Sequence, residues 1–514
     1  MRRPLSLAAA ALIAACGAPG YQPPPVPVPS RFQESARDTT ARPRELLPPA
    51  RVPGDSAGGL AADSAALPAG DSAAVPIQPA VRTGDQTVDQ ASYWRALGDT
   101  TLDRLVAEAL RTNLDVQAAL ARVRGARAAR TESALDLAPT VTAAGGYTRQ
   151  RLSGAAFPIG SGTFPDQDIW DAGFDASWEL DLFGRVRRGV QAQGALVGAA
   201  DADLRDVRVV LTAELARTYF ELRGAQERLT VARRNAENQR RTLQVTQQRL
   251  DAGRGTAFDT ERARTQLGFT LASIPALESQ VASAQYALGV LVGRPPATVA
   301  AELQSLSAVP LLPAEVTVPS PDSLIRHRPD VASAERQAAA GRALVGAAKA
   351  EYLPRITVGG SAGYSAATFG SIGDDGTFRY AVGPVVSWPA LNLGRVKARV
   401  DATRARADEA EARYAQTVLR AEQEVETGLS RYRTSRARVE RIGDAAAASA
   451  RAAELARLRF EGGVADFLQV LDAERTQLDA EDQLAQAHID AATAYAALYQ
   501  ALGGALPGAQ SEAR

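Results

Sequence analysis

The fold of this chain is decided by a segment that occurs twice, LFGRV at residues 182–186 and LNLGRV at residues 391–396. The two shared glycines, Gly184 and Gly394, are 210 residues apart. Other matches at nearly the same offset are Trp178 with Trp388, Pro139 with Pro354, and RTQL at 264–267 with RTQL at 475–478. A period this long indicates a duplicated set of several elements rather than a solenoid unit. We therefore expect two structural repeats, residues 91–300 and 301–504.

Each repeat is predicted to contain a helix, a strand hairpin, a very long helix and a shorter helix. The first helices are expected at about 102–135 and 321–351. The long helices are expected at about 185–250 and 395–460, two stretches without proline. Leu204, Val207 and Leu211 recur every three or four residues, which is one face of a helix. At 1.5 Å per residue, each long helix measures about 100 Å.

Four strands are predicted, at about 139–151, 170–182, 354–366 and 378–391. Apolar and polar residues alternate in 170–182, where Asp175, Glu179 and Asp181 oppose a face rich in aromatic side chains. A face with this many carboxylates must contact water, so we expect these acids to face a lumen. The alternative is the ordinary wet face of a soluble sheet.

Strands of this length cross a membrane when they are tilted, but four of them do not close a barrel. The smallest bacterial barrels use about eight strands, and open strand edges are not stable in hydrocarbon. At least two chains must therefore contribute to one barrel, which makes the protein an obligate oligomer.

The amino end is typical of a bacterial lipoprotein. Residues 1–15 combine two arginines with an apolar stretch that is too short to span a bilayer, which indicates a signal peptide. They lead into Cys16, the single cysteine of the chain, in a lipobox-like context that predicts acylation. In lipoproteins of this kind, an Asp directly after the cysteine favours retention at the inner membrane, so Gly17 points to the outer membrane. Residues 16–90 are rich in Pro, Ala and Ser and are predicted to be a disordered tether, and residues 505–514 a tail.

The composition argues against several functional classes. The 58 basic and 58 acidic side chains cancel, which removes the positive charge expected of a nucleic-acid-binding protein. Two histidines and one cysteine leave little material for a metal site or a catalytic triad. We expect no enzyme activity, no cofactor and no metal.

The sequence resembles the outer membrane factor (TolC-like) family, specifically the NodT-like lipoproteins of tripartite efflux systems. The segments that carry the resemblance are Asn113–Val116, Leu182–Arg185, His327–Val331 and Leu471–Arg475. The resemblance implies a mainly α fold with a pair of β-hairpins. It also implies a homotrimer with a twelve-stranded outer-membrane β-barrel that is continued by a periplasmic α-helical barrel. The implied partners are a periplasmic adaptor protein, an inner-membrane RND-type pump and outer-membrane lipid.

The resemblance also implies roles for residues at the ends of the long helices. Leu468 would form an apolar constriction, Asp472 an acidic ring, and Arg475 a tie between neighbouring helices, together making a periplasmic gate. Asp259 is the corresponding candidate in the first repeat, although a charge there could simply cap a helix. Four glycines are expected in the tip turns to which the adaptor docks: Gly253, Gly255, Gly462 and Gly463.

The predicted function is the exit duct of a tripartite pump that passes small molecules across the outer membrane. One alternative is the duct of a type I protein secretion system. An alternative from another class is a structural coiled-coil lipoprotein of the envelope, which would not conduct ions.

Overall fold

The computed structural model describes residues 21–29, 31–34, 81–83, 90–153, 165–313, 316–318 and 320–504. The predicted signal peptide, Cys16 and the tail at 505–514 lie outside the described residues. The helices are α1 (Gln90–Arg95), α2 (Thr100–Thr112), α3 (Leu114–Leu135), α4 (Arg185–Asp251), α5 (Ala257–Val292), α6 (Pro296–Glu302), α7 (Pro321–His327), α8 (Pro329–Ala350), α9 (Leu393–Glu461) and α10 (Phe467–Ala501).

The strands of the described residues form two sheets. They are β1 (Val81–Thr83), β2 (Thr140–Gln150), β3 (Gln167–Leu180), β4 (Val316–Val318), β5 (Arg355–Ala366) and β6 (Phe378–Ser387). The larger sheet is antiparallel in the order β2-β3-β5-β6, so the hairpins of the two repeats join through β3 and β5. The prediction of a mainly helical chain with a small antiparallel sheet is confirmed.

Local sequence explains where several elements end. A single helix was expected from Leu102 to Leu135, but Asn113 interrupts it and its side chain accepts hydrogen bonds from the N–H groups of Asp115 and Val116 at 2.8 and 3.2 Å. The helix predicted before β5 is also divided, because Pro329 disfavours helical geometry at Arg328. The last strand was expected to reach residue 391 but ends at Ser387, two residues before Pro389, which lacks a ladder donor.

The duplicated tryptophans have the same role in both repeats. Trp178 Nε1 donates to the carbonyl of Leu137 at 2.9 Å, and Trp388 Nε1 donates to the carbonyl of Tyr352 at 3.0 Å. Each acceptor lies two residues beyond the end of the helix that precedes the hairpin. The indole therefore ties the returning strand to the helix-to-strand junction, which gives a physical reason for this part of the repeat.

The chain divides into two compact units. Among the described residues, unit 1 contains 21–27, 109–211 and 326–421, and unit 2 contains 28–108, 212–325 and 422–504. Unit 1 holds the four-stranded sheet, and its helices pack through small side chains such as Ala192, Ala340 and Ala343. Unit 2 holds the aromatic core, in which Tyr93 and Tyr495 stack with ring centroids 4.4 Å apart.

The tether prediction for residues 16–90 is wrong at two places in unit 2. β1 pairs in parallel with β4, register Val81 to Val316, and Val318 of β4 is fully buried. Phe32 is also buried, at 1% exposure, and the next two backbone N–H groups donate to the Glu426 carboxylate. Composition did not reveal these contacts because their partners lie more than 200 residues away along the chain.

Tyr219 makes the stability of unit 2 sensitive to alkaline pH. Its hydroxyl donates to Asp99 Oδ2 at 2.5 Å, and burial together with this hydrogen bond raises the pKa of Tyr219 from 10.0 to about 12. The unfolded chain releases this proton near pH 10 while the folded chain retains it, so the stabilisation is complete below pH 10 and is lost as pH rises towards 12. We expect the urea midpoint to fall over this interval, and to fall less steeply in Tyr219→Phe. Parallel pH profiles for the two proteins would contradict the assignment.

Candidate functional site

In each repeat, one tight turn connects the long helix to the shorter helix that follows it. The first lies between α4 and α5 and the second between α9 and α10. Gly253 and Gly463 occupy equivalent positions with φ of 70° and 75°, a region that favours glycine. Gly255 and Gly462 have no positive φ, but the first leaves little room, since an added Cβ would lie 3.1 Å from the Leu250 nitrogen. The structure thus places all four predicted glycines at these turns.

Arg249 fastens the first turn to the second. Its guanidinium lies 4.0 Å from the ring centroid of Phe460 and donates to the carbonyls of Phe460 and Glu461. These carbonyls lie in the last turn of α9; that of Phe460 also accepts the Gly463 N–H at 3.0 Å, and Arg249 adds a side-chain donor to both. Phe467 and Val470 pack with Phe460 in a small buried cluster. The two turns therefore form one structural end of unit 2.

A groove of about 480 Å³ opens between the two turns. Three arginines line it, Arg249, Arg254 and Arg262, together with the apolar side chains of Phe258 and Leu468. Phe258 and Leu468 are 67% and 49% exposed. Exposed apolar groups bordered by cations are typical of a protein interaction surface.

The short helix after each turn, α5 or α10, begins with a side-chain cap. Thr256 accepts a hydrogen bond from the Asp259 N–H at 3.2 Å and donates its hydroxyl to Asp259 Oδ2 at 2.7 Å. Asp466 accepts a bond from the Leu468 N–H at the start of α10. Within one chain, Asp259 therefore acts as part of a helix cap, which is the alternative that the sequence left open for this gate candidate.

The first turns of α10 present the remaining gate candidates at the surface. Leu468, Asp472 and Arg475 are all exposed. In the part of the chain that the structure describes, neither Asp472 nor Arg475 forms a salt bridge. Their charges are therefore available to groups outside this chain.

Glu474, between these two residues in sequence, is buried at 4% exposure and is the residue that the sequence analysis missed. Its Oε1 accepts hydrogen bonds from Arg457 Nε of α9 at 2.9 Å and from Thr242 Oγ1 of α4 at 2.8 Å. A buried carboxylate with both partners joins three helices. The run Leu471–Arg475 contains two acids, and nothing local distinguishes the buried one from the exposed one.

The network continues along α10. Arg457 also donates to Gln477 Oε1 at 3.2 Å, and Gln477 donates to Glu481 Oε1 at 2.9 Å. Glu481 in turn accepts a hydrogen bond from Asn235 Nδ2 at 3.0 Å and forms an ion pair with Arg234 of α4. The buried side of α10 is therefore polar over about two turns, and every named group in it has a partner.

The three predicted lumen acids have different surroundings in unit 1. Asp175 is exposed in the middle of β3. Glu179 forms a two-atom ion pair with Arg185 and lies 3.6 Å from Arg355. Asp181 is wrongly predicted as a strand residue: it follows the end of β3 and its carboxylate accepts the N–H groups of Val186 and Arg187 at 3.1 and 2.8 Å. The orphan amides at the start of α4 explain its position.

No helix among the described residues is both long enough and apolar enough to cross a membrane. Within the same residues, no cluster of histidine, cysteine and acidic side chains has the geometry of a metal site.

Comparison with known proteins identifies the family. The model of the outer membrane efflux protein family matches residues 105–294 and 320–504. Nodulation protein T of Rhizobium leguminosarum biovar viciae is 30% identical over 413 residues, 79% of this chain and 82% of that protein. Outer membrane protein OprJ of Pseudomonas aeruginosa is 30% identical over 81% of this chain and 87% of its own length. The solved structure of the outer-membrane channel OprN has a TM-score of 0.76 and 37% identity, covering 82% of this chain and 94% of that one. With both halves matched and these relatives covered over most of their length, the chain belongs to the outer membrane efflux protein family.

Proposed function

We propose that this protein is the outer-membrane channel of a tripartite efflux pump and that it exports small molecules. The observation that carries the proposal is family membership over both repeats. Relatives at 28–29% identity are named for pyoverdine export and toluene efflux. These names favour small molecules over a secreted polypeptide, and a channel over a structural coiled coil or an enzyme.

The assembly in this proposal is a homotrimer with a twelve-stranded barrel in the outer membrane and a periplasmic barrel of helices. The proposal is supported by the unpaired edge strands and the exposed apolar side chains of the sheet in one chain. β2 and β6 are edge strands, and apolar side chains such as Tyr380 and Val382 are about three-quarters exposed. Unpaired edges are not stable in hydrocarbon, so β6 of one copy would pair with β2 of the next. Asp175 and Glu179 would then face the lumen, and acylated Cys16 would anchor the chain.

In this assembly the turn groove between α4–α5 and α9–α10 would receive the periplasmic adaptor, which in turn contacts an RND-type pump. The glycine turns shape the groove, and Phe258 offers an apolar contact. Leu468, Asp472 and Arg475 would form the gate, because all three side chains are exposed and the two charged ones have no ion pair in the described part of one chain. Asp259 would contribute less to the gate than to its helix cap.

The gate is tested by single-channel conductance in planar bilayers. We expect Asp472→Ala with Arg475→Ala to raise the conductance of the reconstituted protein several-fold, because the change removes the charged ring and the tie between neighbouring helices. The matched control is Glu409→Ala with Arg413→Ala, an exposed pair on α9 with N–O distance 2.5 Å, which should leave conductance unchanged. Wild-type conductance in the gate variant would remove Asp472 and Arg475 from the gate, and a wild type and a gate variant that both never conduct would refute the proposed function.

A further inference from the structure

A second groove, of about 440 Å³, lies in unit 1 where the helices meet the four-stranded sheet. The cations that line it come from three helices: Arg188 of α4, Arg342 and Lys349 of α8, and Arg404 of α9. Among the described residues, no acidic side chain lines it. The groove is therefore a concentrated positive site in a chain whose total charge is zero.

In the described part of the chain, three of these cations have no close ion pair. Arg342 is committed to Glu411 and Asp408, with N–O distances of 2.5 and 3.0 Å. Arg404 approaches an acid only at 3.8 Å, and Arg188 and Lys349 form no salt bridge among the described residues. Three cationic residues without close acids in one groove favour an anionic ligand.

The backbone of α8 makes room for one of these cations. A Cβ added to Gly346 would lie 2.2 Å from Arg188 Nη1 and 3.0 Å from its Cζ. The guanidinium therefore lies directly against the Gly346 Cα, in space that any other residue would fill. This contact holds the Arg188 head group inside the groove.

The sheet side of the groove is apolar. Phe183 and Leu353, which lie between helix and strand in the two repeats, line it and are 37% and 45% exposed. Both also line the adjoining cavity next to Trp388. The groove thus combines cations with exposed apolar side chains and lies next to a tryptophan. This combination matches the boundary between phospholipid head groups and acyl chains.

The amino-terminal segment passes close to the same helices. Tyr21 lies near Glu411 and Glu335, and burial and these carboxylates raise the pKa of its hydroxyl to about 12. Tyr21 is five residues after Cys16. An extended chain of five residues spans at most about 18 Å, so acyl chains on Cys16 would keep this part of unit 1 at the membrane surface.

We propose that this groove binds the phosphate of a phospholipid from the inner leaflet of the outer membrane, through Arg188, Lys349 and Arg404. Phe183 and Leu353 contact the acyl region of the same lipid. The inference rests on the outer-membrane location in the proposed function. Inorganic phosphate would contact only the cations, and a diacylglycerol would contact only the apolar side chains. Comparing the two with a phospholipid therefore shows whether the ligand is a lipid or free phosphate.

The experiment is a titration of the purified full-length protein in detergent, with bound lipid counted by native mass spectrometry. The probes are dioleoyl phosphatidylglycerol, dioleoylglycerol without the phosphate, and inorganic phosphate as a competitor. A cation near a membrane surface contributes about fivefold in affinity, so the variant Arg188→Gln/Lys349→Gln/Arg404→Gln should bind phosphatidylglycerol about 100-fold more weakly. The control Arg420→Gln/Arg431→Gln/Arg451→Gln removes three exposed charges of α9 and should bind like wild type.

A milder variant guards against misfolding of the triple variant. Gly346→Ala keeps every charge but displaces the Arg188 guanidinium, so it should weaken phosphatidylglycerol binding about fivefold while circular dichroism stays unchanged. Unchanged binding in Gly346→Ala and in the triple variant would overturn the proposal. So would equal binding of dioleoylglycerol, or full displacement of the lipid by inorganic phosphate at equal concentration.

The assay also separates this inference from the proposed function, because it measures bound lipid rather than ion flow. A protein that binds phosphatidylglycerol through the groove but never conducts would refute the channel and retain the lipid site. A conducting protein without lipid preference would retain the channel and refute the lipid site.

Discussion

Arg457→Leu is expected to lower the free energy of unfolding of unit 2 by about 3–5 kcal/mol. The Glu474 carboxylate that Arg457 binds is 4% exposed, and Arg457 is its only ion-pair partner among the described residues. Without the guanidinium, the buried charge keeps one hydrogen bond, from Thr242 at 2.8 Å. A buried carboxylate with so little compensation is costly, which makes this variant one of the two with the largest effect on stability.

The urea midpoint of the helical circular dichroism signal measures the effect. The double variant Arg457→Leu/Glu474→Leu removes both charges and should recover most of the loss, because two apolar side chains leave no charge unpaired. Arg413→Leu, which breaks an exposed pair on α9, is the control and should change stability by less than about 1 kcal/mol. A single variant Arg457→Leu as stable as this control would show that Glu474 is not held by its ion pair.

The same contact determines how α10 presents the proposed gate. Successive residues of a helix are rotated by about 100°, so Asp472 and Arg475 share one face while Glu474 points away from it. Because Glu474 is fixed against α9 and α4, Asp472 and Arg475 are fixed on the exposed side. We therefore expect Arg457→Leu also to broaden the distribution of single-channel conductances.

Gly224→Ala is the second change with a large expected effect, a destabilisation of about 1–3 kcal/mol. Gly224 of α4 packs against Ile489 of α10, and an added Cβ would lie 1.9 Å from Ile489 Cγ1 and 2.3 Å from its Cδ1. The helices must separate or Ile489 must leave its rotamer, and both cost packing energy. Alanine is otherwise the better helix former, so the steric term has to exceed a gain of up to about 1 kcal/mol.

Gly268→Ala is the matched control for this prediction. Gly268 lies in α5, and no atom of the described residues is within 4 Å of an added Cβ, so alanine there should stabilise the helix by up to about 1 kcal/mol. The double variant Gly224→Ala/Ile489→Ala should be more stable than the sum of the single variants predicts, by at least about 1 kcal/mol, because the smaller side chain accepts the new methyl group. Urea unfolding of the wild type, Gly224→Ala, Ile489→Ala and the double variant measures this difference. Additive losses would show that the two residues do not compete for space.

Local pattern was sufficient for the main elements. Residues 185–250 were predicted as a long helix and the helix is Arg185–Asp251, because apolar residues every three or four positions and the absence of proline permit little else. The strand hairpins were located by alternation with period two. Boundaries failed where a single side chain acts, as with Asn113 between α2 and α3 and Pro329 at the start of α8.

The sequence by itself determined the duplication, the long helices, the glycine turns and the family, because each of these depends on neighbouring residues or on an internal match. Only the tertiary structure decided which charges are buried or committed. It placed Glu474 inside and Asp472 outside, gave Asp181 and Asp259 to helix starts, and packed Phe32 and β1 within a segment that composition assigned to disorder. The physical reason is that the partner of each such group lies elsewhere in the fold, and a charge becomes a cap, an ion pair or a free surface group according to that partner.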